Sequence, residues 1–304
     1  HCLGLLSKIE NENIEFVVSD NASTDNTESI VKRSTLKNLS YYRNQTNLGP
    51  DKNFDLIIQK AQGQFIWLLS DDDTFDINEF KSFFSFLKEK NNRNVSLFVL
   101  NYVLENSKTK KSTIQFRINS KNDFSLFTSK NDFFSFVGFK ITLLSILIFN
   151  RALVQNQNNN SRFLNTNFFQ SYLALSSSSQ KDFNLIVWNK PIIRVISNTM
   201  TNYSMYIVFG RNIKALAIYS IKELNYSKKI VKAKYYEYIH EIVFPGILYA
   251  KKNKQKKMLT KPFEMLKSTM WIPRLFFETL FVVAIPGWLI RVILRIKTYR
   301  KKRK

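Results

Sequence analysis

Apolar and polar positions alternate along the first part of the chain in a repeating order of strands and helices. Short apolar runs at 14–20, 39–43 and 65–69 end in polar turn residues, which is typical of buried strands that lead into loops. Residues 24–33 and 51–61 lie between these runs and have the spacing of helices. Strands that alternate with helices form parallel sheets covered on both faces, so the pattern predicts an α/β domain with a mostly parallel sheet.

The middle of the chain continues this pattern less regularly. It predicts a polar loop over 105–135, and either a strand pair or a buried helix over the apolar stretch 137–149. Regular elements are predicted at 76–90 (helix), 95–104 (strand), 164–176 (helix) and 184–196 (strand).

The last third changes character and predicts a second region. We expect the sheet domain to cover residues 1–205 and a helical region to cover 206–304. The most apolar stretch, Leu275–Ile290, is interrupted by Glu278 and by Pro286-Gly287. It is therefore not the uninterrupted run of roughly 20 apolar residues that a membrane-spanning helix needs.

The charge of the chain indicates an anionic partner. Lys and Arg exceed Asp and Glu by 46 − 23, giving a formal net charge of +23 over 304 residues. Residues 251–304 contain 16 basic residues and two acids, so 16 − 2 = +14 of this charge lies there. Basic and apolar side chains together predict attachment to an anionic membrane surface; the alternative is a helix packed on the main domain with a basic end. Since no nucleic-acid-binding module is recognisable, we expect no nucleic acid partner.

The chain has too few cysteines and histidines for a disulfide, a zinc site or a catalytic triad. The single cysteine, Cys2, excludes an intrachain disulfide and a multi-cysteine zinc site. With only His1 and His240, neither a histidine-based metal centre nor a Ser/His/Asp triad is expected.

Two polar motifs follow predicted strands and are the candidates for chemistry. Ser70-Asp71-Asp72-Asp73 comes directly after the strand at 65–69, where open α/β sheets bind their ligands. Carboxylates there suit a hard divalent cation, whereas the alternative is a solvated loop in which Asp73 caps the next helix. The second motif, 18–27, follows an earlier strand; its side chains either contact a nucleoside or serve as ordinary turn and cap residues.

Together these motifs resemble the inverting family 2 glycosyltransferases of the GT-A fold. The similarity covers about residues 15–75, in the segments FVVSDNASTDNT, YYRNQTNLG and KAQGQFIWLLSDDDTF, and is strongest with the bacterial branch that builds O-antigen and capsular polysaccharides. It implies that Asp72 is the main ligand of Mg²⁺ or Mn²⁺, with Asp71 and Asp73 as second choices. The implied donor-binding residues are Asp20, Asn21, Ser23, Asp25 and Lys52.

The chain also departs from the family pattern. It starts at His1, inside a predicted helix, so we expect a preceding piece that carries the family's first strand. The arginine common in the helix at 51–61 falls on Phe54, and Lys52 is the nearest substitute. The family's acidic catalytic-base motif falls near residues 165–167, where no carboxylate exists. Asp182 is a weak candidate for the base, with Asp123 and Asp132 upstream.

The resemblance implies transfer of a sugar from a nucleoside-diphosphate sugar to a lipid-linked saccharide, in cell-surface polysaccharide synthesis. The expected location is the cytoplasmic face of the membrane, with peripheral or shallow attachment through the C-terminal region. Two alternatives stay open: a metal-dependent nucleotidyltransferase, and an inactive relative that serves as an assembly partner.

Overall fold

The strands and helices predicted for the first hundred residues are present in the computed structural model. It describes residues 2–89, 94–106, 112–116, 122–155, 160–197, 203–290 and 292. The chain divides into an N-terminal unit, His1–Asn198, and a C-terminal unit, Thr199–Lys304, near the boundary that the sequence predicts at residue 205.

The N-terminal unit contains nine strands and seven α-helices among the residues that the structure describes. Its strands are β1 (Phe16–Asp20), β2 (Leu39–Arg43), β3 (Phe65–Trp67), β4 (Thr74–Phe75), β5 (Val95–Asn106), β6 (Ser112–Ile114), β7 (Phe124–Phe127), β8 (Leu147–Asn150) and β9 (Asn184–Ser197). Its helices are α1 (Cys2–Leu6), α2 (Thr27–Lys32), α3 (Pro50–Lys60), α4 (Ile77–Leu87), α5 (Lys130–Val137), α6 (Arg151–Val154) and α7 (Phe169–Ser178). The predicted α/β class is confirmed.

The strands form two sheets, and the larger one corrects the expectation of mostly parallel pairing. β1 and β2 pair in parallel as predicted, with Asp20 opposite Arg43. The seven-stranded sheet has the order β3-β8-β5-β9-β4, with β6 on β5 and β7 on β9. Among the strand pairs that the structure describes in this sheet, β5–β9 is the only parallel one, while β3–β8, β5–β8, β4–β9, β5–β6 and β7–β9 are antiparallel.

The antiparallel pairs arise from strands that the sequence pattern left undecided. β3, β5 and β9 run in one direction, as strand-helix-strand connections require. The apolar stretch 137–149 forms two short 3₁₀ turns and then β8, which inserts between β3 and β5 in the opposite direction. The expected polar loop at 105–135 is also wrong in part, because it contributes the short strands β6 and β7 and helix α5.

Aromatic side chains fill the space between α4 and the larger sheet. Phe83 of α4 contacts the rings of Phe98 and Trp188 edge-on, with centroid distances of 5.6 and 5.4 Å. All three side chains are almost completely buried. These contacts hold β5 and β9 as a rigid support for the loops at the sheet edge, since edge-to-face pairs add to the burial energy.

Every regular element that the structure describes in the C-terminal unit is a helix or a helical turn. The unit contains α8 (Ile213–Lys222), α9 (Lys228–Tyr238), α10 (Phe244–Lys252), α11 (Pro262–Thr269) and α12 (Pro273–Ala284). Two π-helical turns, Ile207–Asn212 and Ile239–Val243, precede α8 and α10. Among the described helices, none is both long enough and apolar enough to cross a membrane.

Candidate functional site

Asp20 ends β1 with a carboxylate that has no exposed surface. It accepts hydrogen bonds from the Tyr41 hydroxyl (2.6 Å) and the backbone N–H of Ser23 (2.7 Å), and the Arg43 Nε lies 3.2 Å from it. Burial favours a higher pKa, but these hydrogen bonds and the Arg43 charge outweigh it and hold the pKa of Asp20 below its ordinary value. Burial and the bond to Asp20 raise the pKa of Tyr41 to about 12. Asp20 therefore fixes the turn that follows β1 through partners inside the protein.

Asn21 joins this turn to the loop that precedes α3. Its Oδ1 accepts from Asn44 Nδ2 (3.0 Å) and from the N–H of Leu48 (2.9 Å), while its Nδ2 donates to Asn47 Oδ1 (2.9 Å). Asn53 Oδ1 accepts a further bond from Asn44 Nδ2, at 2.9 Å. The amide of Asn21 is thus used to shape the loop, and the contact with a nucleoside stays a prediction.

The other three predicted donor residues differ in exposure and role. The carbonyl of Ser23 accepts from Arg43 at 2.7 Å, so Ser23 belongs to the turn held by Asp20. Asp25 accepts from the hydroxyl (2.6 Å) and N–H (3.0 Å) of Thr27, and these bonds lower its pKa. Lys52 is exposed in the first turn of α3. Its side chain is accessible to an anionic ligand.

The acidic run lies in a turn after β3, and its carboxylates do not point the same way. Asp71 and Asp72 are exposed, and Asp72 accepts a short hydrogen bond from the Ser70 hydroxyl. Asp73 is buried, and burial raises its pKa to about 6, a rise that a Ser145 hydrogen bond limits and that the charges of its acidic neighbours reinforce. Ser145 also accepts from the Ser70 N–H at 3.0 Å. The sequence alone gave no signal for Ser145, which lies far from this turn along the chain.

Asp73 is not the cap of the following helix. Asp76 caps α4 instead, because its Oδ1 accepts from the N–H groups of Asn78 and Glu79, both at 2.9 Å. The capping part of the alternative for the acidic run is therefore wrong, whereas the exposure of Asp71 and Asp72 agrees with a solvated loop.

The exposed carboxylates suit a cation that also binds a substrate. Among the residues described, no three His, Cys, Asp or Glu side chains come together as a ligand set. Mg²⁺ and similar hard cations use one or two carboxylates together with water and substrate phosphates. Asp72 and Asp71 fit this requirement, whereas Asp73 points into the protein. The donor set thus fits a divalent cation that arrives with a phosphorylated ligand.

Both polar motifs follow strands that start next to each other. Glu15, before β1, accepts hydrogen bonds from the N–H groups of Gln62 (2.6 Å) and Gly63 (2.7 Å), which precede β3. The carboxylate thereby ties the beginning of β1 to the beginning of β3. The turn after Asp20 and the acidic run after Trp67 each lie at the far end of these strands.

Asp182, the first of the weak candidates for the catalytic base, does not lie beside the acidic run. Asp182 precedes β9, which runs in the same direction as β3. Asp182 therefore lies at the end of the sheet where these strands begin, whereas the acidic turn lies at the end where β3 finishes. Its φ of +66° marks it as a tight-turn residue. Asp123 pairs with Lys190 on the surface at 2.9 Å, and Asp132 lies in the first turn of α5.

A buried carboxylate that the sequence analysis missed, Asp51, lies against the segment 165–167. From the start of α3 it accepts bonds from the N–H groups of Thr166 (2.6 Å), Asn167 (2.8 Å) and Phe169 (3.3 Å). Asn165 and Asn167 have φ values of +70° and +66°, a conformation that favours Asn and Gly over other residues. Asp51 therefore holds a tightly wound loop in place. An acid in the first turn of a helix is so common that it gave no signal of this role.

Comparisons with known proteins agree with this arrangement. The family described as glycosyl transferase family 2 matches residues 2–147, which include both polar motifs. Abequosyltransferase RfbV of Salmonella typhimurium is 39% identical over 77 residues. The aligned part spans 23% of this chain and 23% of that protein.

Solved structures show the same fold over most of the chain. S. aureus TarS 1–349, in complex with UDP-GlcNAc, has a TM-score of 0.62 at 15% identity, covering 93% of this chain and 78% of that one. The mannosyltransferase PcManGT from Pyrobaculum calidifontis, in complex with GDP-Man and Mn²⁺, has a TM-score of 0.51 at 14% identity, covering 94% and 83%. At these identities the likeness concerns the fold alone. The family match covers residues 2–147, slightly less than half of the 304 residues, and this part of the chain is similar to enzymes of glycosyl transferase family 2.

Proposed function

We propose that this chain transfers a glycosyl group from a nucleoside-diphosphate sugar to an acceptor hydroxyl. One observation carries the proposal: the turn after β3 presents two exposed carboxylates, Asp71 and Asp72, within the residues that match the family. Carboxylates beyond the end of a sheet strand are well placed to meet a ligand with phosphates. The nucleotide sugars in the TarS and PcManGT complexes, UDP-GlcNAc and GDP-Man, support this class of donor.

In the reaction, the acceptor oxygen forms a bond to the anomeric carbon while the bond from that carbon to the diphosphate breaks. The acceptor proton passes to a base, and the nucleoside diphosphate leaves with the bonding electrons. Asp72 and Asp71 would hold a divalent cation, Mg²⁺ or Mn²⁺, which would offset the negative charge that develops on the leaving diphosphate. The Mn²⁺ in the PcManGT complex supports the choice of metal. We leave the base unassigned, because Asp182 lies at the opposite sheet edge.

Asp20 is proposed to act on the donor through the turn that it holds. Its carboxylate is occupied by Tyr41, Ser23 and Arg43, so the turn after β1 is rigid before a ligand arrives. Lys52 offers an exposed positive charge to the diphosphate. A pre-shaped turn loses little conformational freedom when it binds a nucleoside, which favours affinity.

We further propose that the acceptor is a lipid-linked saccharide used in cell-surface polysaccharide synthesis, at the cytoplasmic face of the membrane. The name of RfbV, an abequosyltransferase, supports a role in sugar transfer. The net charge of +14 over residues 251–304 supports contact with an anionic surface.

The test is product analysis with the full chain and a panel of nucleotide sugars in the presence of Mn²⁺. The proposal predicts release of a nucleoside diphosphate, slowly to water and faster with a lipid-linked acceptor. Release of pyrophosphate from nucleoside triphosphates would instead identify a nucleotidyltransferase. If no donor in the panel is consumed, the chain is an inactive relative and the proposal fails.

A further inference from the structure

The last helix of the C-terminal unit carries an exposed apolar face. On α12, the residues Phe277, Leu280, Phe281 and Ala284 are exposed and recur at spacings of three and four, so they form one stripe, which we call the α12 stripe. Both phenylalanines are 68% exposed. Trp288, four residues beyond the stripe, is 60% exposed. So many large apolar side chains exposed together indicate an interaction surface.

The opposite side of α12 is fixed within the C-terminal unit. Leu275 and Thr279 are fully buried, and the Glu278 carboxylate accepts from Arg274 (2.9 Å) and from the Tyr236 hydroxyl (3.0 Å). These contacts on one side fix the rotation of the helix about its axis. The α12 stripe therefore faces away from the core of its own unit.

A lysine anchors the end of the same helix. Lys251 Nζ donates to the carbonyls of Val283 (2.6 Å) and Ile285 (2.8 Å), and burial lowers the pKa of its ammonium. A cation at a helix C-terminus satisfies carbonyls that have no partner inside the helix. The stripe is thus held at both ends on a firm scaffold rather than on a loose tail.

Charge decides between the possible occupants of the stripe. The stripe itself has no charged residue, while residues 251–304 around it in the sequence carry 16 basic and two acidic side chains. A second copy of the chain carries the same net charge of +23, and the repulsion between two such chains opposes pairing. A surface that combines negative headgroups with an apolar interior matches both properties.

We propose that the α12 stripe and Trp288 insert into the headgroup boundary of an anionic phospholipid bilayer, to which the net positive charge of residues 251–304 attracts the chain. This inference deepens the membrane location proposed above and rests on it. An apolar stripe along one side of a helix suits a helix that lies in the plane of the membrane surface. The stripe then supplies attachment that salt does not screen, in addition to the attraction of the basic residues.

The test is flotation of the full chain with vesicles of phosphatidylcholine, with and without phosphatidylglycerol. The double variant Phe277→Ser/Phe281→Ser is expected to bind the anionic vesicles roughly a hundredfold more weakly, because each phenylalanine that leaves the bilayer costs about tenfold. Leu126→Ser, which removes a 53% exposed apolar side chain from β7 in the other unit, is the matched control and should bind like the parent. Binding of the parent should fall strongly when phosphatidylglycerol is omitted.

Two results would overturn the inference. In the first, the double variant and the parent float equally well, which would place the membrane contact elsewhere. In the second, light scattering without lipid shows a dimer of the parent that the double variant lacks, which would make the stripe an interface between copies. Donor turnover in detergent solution, measured on the same variants, separates this inference from the proposed function. Donor turnover of the double variant and of Leu126→Ser is expected to equal that of the parent, whether or not the variants bind vesicles.

Discussion

Asp20→Asn is the substitution that best separates a role inside the protein from a role in ligand contact. The parent carboxylate is fully buried and has three partners: the Tyr41 hydroxyl, the Ser23 N–H and the Arg43 guanidinium. An asparagine has nearly the same shape but no charge. It keeps one oxygen for the Ser23 N–H, and it weakens the bonds that depend on a carboxylate.

The expected loss of stability follows from these contacts. Hydrogen bonds to a charged group contribute about 1.5–3 kcal/mol, and neutral ones about 1 kcal/mol. The ion pair with Arg43 adds little, because that side chain is 43% exposed and exposed pairs contribute at most about 1 kcal/mol. We therefore expect the free energy of unfolding to fall by about 2 kcal/mol at neutral pH.

The same contacts predict how this difference depends on pH. The folded-state pKa of Asp20 is lowered, so the ionised carboxylate stabilises the folded state. This contribution is fully present above the unfolded pKa of about 3.9 and is lost as the pH falls through the lower folded value. The stability difference between parent and Asp20→Asn should be constant from about pH 5 to 8 and shrink steadily below about pH 4.

Urea unfolding at a series of pH values measures this difference, and Tyr41→Phe is the control. Tyr41→Phe removes one partner of Asp20 without changing a charge, so the two substitutions should be coupled in a double-mutant cycle by about 1 kcal/mol. Absence of coupling, together with equal stability of Asp20→Asn and parent at pH 7, would refute the internal role. In that case Asp20 would be free for direct contact with the nucleoside.

Three further substitutions test contacts that the sequence did not indicate. Asp51→Ala removes the acceptor of three N–H bonds in a buried place, and should lower the free energy of unfolding by about 3–5 kcal/mol in urea titrations; a loss below about 1 kcal/mol would be inconsistent with the role given to this carboxylate. Ser145→Ala leaves the Ser70 N–H and buried Asp73 without a partner, and should cost about 1–2 kcal/mol in the same titrations. Lys251→Met removes two bonds to the end of α12, and should speed proteolysis near residue 285 without changing donor turnover; equal cleavage rates would count against it.

Local signals in the sequence sufficed for the elements that carry the two polar motifs. β1, β2 and their parallel direction follow from short apolar runs joined by a helix. β3 and the acidic turn after it were also predictable from the sequence, because an unbroken apolar run ends abruptly in charged residues. β8 was not predictable, since a short apolar stretch has no period that separates a strand from a helix, and its place between β3 and β5 depends on distant residues.

The partners of the site residues could not be predicted, for a related reason. The sequence identifies Asp20 and Asn21 as polar turn residues. It does not show that Tyr41 donates a hydrogen bond to Asp20 or that Asn44 donates one to Asn21. Asp51 forms hydrogen bonds with the loop at 166–169, which is more than a hundred residues away in the sequence. The spacing of apolar residues along the chain does not predict such a long-range contact. The sequence shows which side chains are polar, but which groups they form hydrogen bonds with depends on how the whole chain folds.

Cation-dependent donor binding by Asp72→Asn tests the central claim most directly. Calorimetry would measure the affinity of the full chain for a nucleoside diphosphate with and without Mn²⁺, in the parent, in Asp72→Asn and in the control Glu12→Gln, which removes an exposed carboxylate outside both polar motifs. We expect Mn²⁺ to strengthen binding in the parent and in Glu12→Gln, and to have almost no effect in Asp72→Asn, with sugar transfer lost in the same variant. An undiminished effect of Mn²⁺ on Asp72→Asn, with normal transfer, would contradict the assignment of the acidic turn as the cation site of a glycosyltransferase.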